Sequence, residues 1–182
     1  MHRAASCLAL GTNVPRLVLA SESPRRRRLL EEAGYDFDVV PSSIDEQPAP
    51  GEGPIATAVR LAIEKALAVA PATPRGGVLL AADTIVVVGE RIYGKPRDEE
   101  DAVRILGELV GRNHDVITAW SLLPASQPHA STTGFCRSSV RMREASAGVI
   151  LAYVRDGEPM DKAGAYAAQG EGRRFVAAVL GP

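Results

Sequence analysis

At 182 residues the chain is long enough for one domain with an ordinary buried core. Hydrophobic residues make up 46% but aromatics only 4%, so Ala, Val, Leu and Ile must fill that core, and no aromatic surface is provided for stacking single-stranded nucleic acid. The formal net charge is −1, from 21 basic and 22 acidic residues, which argues against a general electrostatic grip on nucleic acid and makes any anion site local.

Cys7 and Cys136 lie far apart and match no metal-ligand spacing, which points to a reducing cytoplasm rather than a disulfide framework. No apolar run approaches the roughly 18 residues that span a bilayer. Residues 1–15 begin with basic character, but their apolar stretch is broken by Ser6 and lacks a cleavage site, so they read as an extension rather than a signal peptide. Residues 16–182 form the expected single domain.

Residues 17–20 (LVLA) read as a buried first strand. A helix follows, with Ser23 as its cap, Pro24 at its first position and Gly34 to end it in the left-handed conformation. Residues 37–41 suggest a second strand, and PSSIDEQPAPGEGP a loop. Helical periodicity over 55–70 places Ile55, Val59, Ala62, Ile63, Ala66 and Ala70 on one side. Residues 78–88 form a strongly apolar strand, turned by Gly89-Glu90 into a short strand at 91–93. A helix over 98–110 has acids in its first turn, as the helix dipole favours. Strands at 115–123 and 133–143, a helix at 147–155 and a last strand at 174–180 complete an α/β or α+β chain with a covered sheet.

Asp83, inside LLAADTIVVV, is the most informative residue on local grounds. A carboxylate in an apolar strand costs several kcal/mol unless it is paired, hydrogen-bonded or metal-bound. The plainer alternative is that Asp83 and Thr84 already reach a loop. Ser21, Ser23, Arg25 and Arg26 surround a helix start whose free N–H groups suit an anion, although a capped helix with solvated arginines explains the segment equally simply. Asp45 and Glu46 could offer a hard carboxylate to Mg²⁺ or Mn²⁺. Lys65 falls at the edge of its helix's apolar face, where snorkelling is the plain explanation. Lys95 ends a segment resembling a phosphate-binding loop, but Pro96 stands where that loop needs a hydroxyl; Lys95 itself remains a candidate phosphate contact. His114 reads as a structural hydrogen-bonder or a catalyst.

In this order, LASESPRRRRLL, IDEQ, RLAIEKA, AADTIVV, GKPRDEEDAVRIL and DKAGAYAAQG resemble the Maf family of nucleoside triphosphate pyrophosphatases. The resemblance implies a mixed-sheet α/β fold with a cleft, homodimeric assembly, and hydrolysis between the α and β phosphates with a divalent cation. It makes Asp83 the proton acceptor that activates water, or a metal ligand, and Glu46 a metal-associated carboxylate. Arg26, Lys65 and Lys95 would neutralise the triphosphate, and Ser21 would line the same pocket. Arg25, Thr84 and Gln169 match the branch that prefers dTTP and UTP; the branch acting on 7-methyl-GTP tends to carry Trp, Gln and Glu at these positions. The resemblance also leaves room for a nucleotide-binding role without turnover. Family members usually continue beyond the point where this chain has Leu180-Gly181-Pro182, so apolar surface near 176–180 is expected to be exposed or paired.

Overall fold

The computed structural model describes residues 15–181, so the extension proposed for residues 1–15 lies, apart from Pro15, outside the described residues. Strands β1 (Leu17–Leu19), β2 (Phe37–Val39), β3 (Val78–Val88), β4 (Arg91–Tyr93), β5 (Asn113–Pro124), β6 (Thr132–Met142) and β7 (Val176–Leu180) form one sheet. Its order is β2-β1-β3-β5-β6-β7, with β4 paired to β3 off that path. β1 runs parallel to β2 and β3, whereas β3–β5, β5–β6 and β6–β7 are antiparallel, giving the mixed sheet that the sequence resemblance implies.

Helices α2 (Pro54–Val69), α3 (Glu99–Leu109) and α4 (Ala147–Arg155) pack against it, while α1 (Pro24–Glu32) buries no residue. Successive strand residues point to opposite faces. One face of β3 packs Ala81, Ile85 and Val87 with Ala58, Ala62 and Ala66 of α2. On the other face, Val86 joins Leu106 and Leu109 of α3 and Ile150 and Tyr153 of α4. Asp98 caps α3, its side chain accepting from the Asp101 amide at 2.8 Å.

Three local expectations are corrected. Ser23 makes no side-chain cap bond to α1; its own amide instead donates to Ser21 Oγ at 3.2 Å, so the hydroxyl two residues earlier holds the turn. The buried face of α2 comprises Thr57, Ala58, Leu61, Ala62, Lys65, Ala66 and Val69, while Ile55 is exposed. The face is rotated from the apolar stripe because Lys65 has a buried partner on the sheet. 3₁₀ turns at Glu158–Asp161, Ala163–Ala165 and Glu171–Phe175 precede the last strand, which begins at Val176 rather than at residue 174. Val179 and Leu180 of β7 are 51% and 68% exposed.

Candidate active site

The long strand β3 has two neighbours on one edge and a gap between them. β1 pairs with Val78–Leu80 and ends there, the Ala20 amide donating to Leu80 at 2.8 Å. β4 pairs only with Val86–Val88. The opposite edge of β3 is paired with β5 from Val78 through Val87. Residues 81–85 therefore sit in the sheet's interior with one edge facing the ends of β1 and β4, the kind of crevice where open α/β sheets bind ligands.

Asp83 lies in the middle of β3, not at a strand end, and is 6% exposed. Its Oδ1 accepts from Lys65 Nζ at 2.5 Å. The same ammonium lies 2.8 Å from Glu46 Oε1, and Glu46 Oε2 is 3.0 Å from Lys95 Nζ. Four groups from four elements thus form an alternating chain: Asp83 (β3), Lys65 (α2), Glu46 (the loop after β2) and Lys95 (the turn after β4). Burial pushes the Glu46 carboxyl up, but the ammonium groups of Lys65 and Lys95 outweigh it and hold the group below its ordinary value. The buried Lys65–Asp83 pair answers the cost of burying Asp83: removing Lys65 would strand that carboxylate, typically at about 3–5 kcal/mol, whereas Lys65 without Asp83 would still have Glu46.

Thr84 points to the other face of β3. Its hydroxyl lies 3.0 Å from Thr118 Oγ1 and accepts from Arg26 at 3.2 Å. Arg26 also donates to the Ala82 carbonyl at 2.8 Å, on the open strand edge, and to Ser21 Oγ at 3.2 Å. Burial lowers the pKa of Arg26; Asp83 and Glu46 attract its charge while Arg25 opposes it. Arg26 therefore ties α1 to β3 across the gap as well as charging it. Arg25 is exposed, as is Gln169 in the turn beyond Tyr166. That segment is docked through Gly164, whose amide donates to Gly94 at 3.0 Å beside Lys95. Gly164 has φ +70°, and a Cβ there would come within 2.8 Å of Val86, so glycine permits the close approach.

The sequence profile described as Maf-like protein matches residues 16–182. The chain belongs to the Maf family. A dTTP/UTP pyrophosphatase of Aquifex aeolicus (strain VF5) is 45% identical over 166 residues, covering 91% of this chain and 85% of the relative. A dTTP/UTP pyrophosphatase of Myxococcus xanthus (strain DK1622) is 48% identical over 165 residues, covering 91% and 82%. Among solved structures, the Staphylococcus aureus Ham1 protein superposes with a TM-score of 0.51 at 16% identity, over 88% of this chain and 93% of that one, a likeness of fold.

Two features of this Maf chain lay beyond the sequence reading. Arg60 donates to Glu52 at 2.8 Å and to the Gln47 carbonyl at 3.0 Å, clamping the loop that carries Glu46 onto α2. Its signal was only an arginine in a helix and a glutamate eight residues earlier. Tyr166, buried within GAYAAQG, meets His114 Nε2 at 2.7 Å and so pins the Gln169 segment to β5. Of the two roles open to His114, this geometry gives it the structural one.

Burial pushes the His114 imidazole down to about 4, against a slight pull upward from Asp115. Below an unfolded pKa of about 6.5, the unfolded chain takes a proton that the folded one refuses. The stability contribution is thus present above about pH 6.5 and is lost as pH falls towards 4, by up to about 3 kcal/mol. Urea midpoints between pH 7.5 and 4.5 should fall more steeply for wild type than for His114→Gln, which cannot titrate. Parallel slopes would show that His114 is not held neutral by the fold.

Proposed function

We propose that this protein hydrolyses nucleoside triphosphates, dTTP and UTP in preference, to the monophosphate and pyrophosphate, in the cytoplasm and with a divalent cation. The observation that carries the reading is the chain of two carboxylates and two ammoniums along the open edge of β3. It offers a buried proton acceptor beside cationic groups suited to a triphosphate. The names of the relatives supply the substrate class.

Among the described residues, no group of three or more His, Cys, Asp or Glu side chains could hold a metal ion. Glu46 and Asp83 nevertheless fit a hard cation such as Mg²⁺ or Mn²⁺, which typically uses one or two carboxylates and takes its other ligands from water and substrate phosphates. Bound there, the cation would supply Lewis-acid stabilisation to the phosphate oxygens. Lys95, 53% exposed at its side chain, can turn from Glu46 to a phosphate at little cost. Arg26 places fixed positive charge at the gap, and Ser21 shapes the turn beneath it. Asp83 orients a water and accepts its proton as that water attacks the α-phosphorus and pyrophosphate departs.

Pyrophosphate and UMP released from UTP with Mg²⁺ test the reading directly. Lys95→Ala should raise KM for UTP about tenfold or more, the loss of one charge-assisted contact. Arg27→Ala, on the exposed face of α1, should leave it within about twofold. Nucleotide binding without pyrophosphate release would favour a non-catalytic role, and equal effects of the two variants would reduce the site to diffuse charge.

A further inference from the structure

Lys65 stands between the only two carboxylates of the described site, within 2.5 Å of Asp83 and 2.8 Å of Glu46. That is the position in which a cation bridging them would sit. Lys65 and Lys95 balance Asp83 and Glu46 in formal charge. A free divalent cation entering this set would add uncompensated positive charge close to an ammonium, and like charges at such separations repel strongly away from bulk water. A triphosphate changes that balance, because it carries more negative charge than the cation cancels and offers Lys65 new oxygen acceptors.

The two lysines differ in how they can respond. The side chain of Lys95 is 53% exposed and can swing into solvent, whereas that of Lys65 is 9% exposed. Its stem lies in the buried face of α2 beside Leu61, Ala62 and Ala66, so only its head group has room to move. Lys65 leaves the carboxylates only for another buried acceptor.

We propose that Lys65 makes the site selective for a cation–triphosphate complex over free cation: its ammonium holds the cation's place between Asp83 and Glu46 until a triphosphate draws it away. The inference rests on the pyrophosphatase reading and adds to it an obligatory coupling between the two ligands. By linkage, the cation and the triphosphate then tighten each other's binding by the same factor.

The test measures Mn²⁺ binding by electron paramagnetic resonance, with and without the α,β-imido analogue of UTP, on wild type and on Lys65→Met, which keeps the apolar stem. Wild type should bind Mn²⁺ at least about tenfold more tightly when the analogue is present, a coupling within the usual range. Lys65→Met should bind Mn²⁺ alone at least about tenfold more tightly than wild type and lose most of the coupling. Mn²⁺ should also raise the melting temperature of Lys65→Met, by binding its folded state, far more than that of wild type, a readout that survives even if the variant is poorly folded without metal. Wild type binding Mn²⁺ equally well with and without a bound analogue, or Lys65→Met gaining neither affinity nor Mn²⁺-dependent stability, overturns the proposal. An analogue that does not bind at all instead removes the pyrophosphatase reading, and the Mn²⁺-alone comparison of the two proteins still decides the place of Lys65.

Discussion

Purified Asp83→Asn is expected to lose roughly 100-fold or more of its turnover of UTP while melting within a few degrees of wild type. The size follows from general-base catalysis, typically worth 10²–10⁴-fold. The intact fold follows from geometry. Asn is nearly isosteric, and its Oδ1 can accept from Lys65 as Asp83 Oδ1 does at 2.5 Å. Lys65 also keeps Glu46 at 2.8 Å, so its buried ammonium is not left without a counter-charge. Cation titration separates the two roles open to Asp83. A lost metal ligand is partly recovered by raising Mg²⁺, because the remaining ligands can still be saturated; a lost base is not. More than about a tenth of wild-type turnover at ordinary Mg²⁺ would remove Asp83 from the base role.

The residues that reveal themselves in sequence are those whose local chemistry conflicts with their surroundings. Asp83 is legible because an acid stands in an otherwise apolar strand, and the structure resolves the conflict with a partner from α2. Long periodic elements are legible as well: β3 occupies residues 78–88 as the apolar run indicates, with β4 at 91–93 and α4 at 147–155. Lys65 shows the limit. Hydropathy places it at the rim of its helix, but the fold buries it, because the position of a buried face depends on what the opposing strand presents. The gap between β1 and β4, which makes the cleft, is a property of strand pairing and has no mark in local sequence. The Arg60 clamp and the His114–Tyr166 bond likewise join residues whose relation exists only after folding. Ser21, Glu46 and Lys95 are candidates on local chemistry, each beside a plainer solvated reading, and it is the resemblance of the ordered motifs that joins them into one proposed site.

Across a triphosphate panel, dTTP and UTP should be cleaved in preference to GTP, ATP and 7-methyl-GTP, by at least about tenfold in kcat/KM. A site arranged to hydrogen-bond one base edge rejects analogues that leave its polar groups unpaired, at about 1–3 kcal/mol for each group. Gln169 and Arg25 are exposed, and the Gln169 segment is held by the Gly164–Gly94 bond and by Tyr166 on His114. Thr84 acts differently: its hydroxyl already engages Arg26 and Thr118, so it shapes the pocket by fixing Arg26. The amide of Gln169 can donate to and accept from a pyrimidine edge, whereas a carboxylate cannot donate and adds charge near the phosphates. Gln169→Glu should therefore lower kcat/KM for UTP about tenfold or more while changing the slower rate with ATP much less, narrowing the preference rather than abolishing catalysis. Arg25→Trp should raise the rate with 7-methyl-GTP, whose cationic ring can stack on an indole. Faster turnover of 7-methyl-GTP than of UTP by wild type at matched concentrations would assign the chain to the other branch of the family while leaving pyrophosphate release intact. Equal losses on UTP and ATP in Gln169→Glu would place Gln169 at the phosphates rather than at the base.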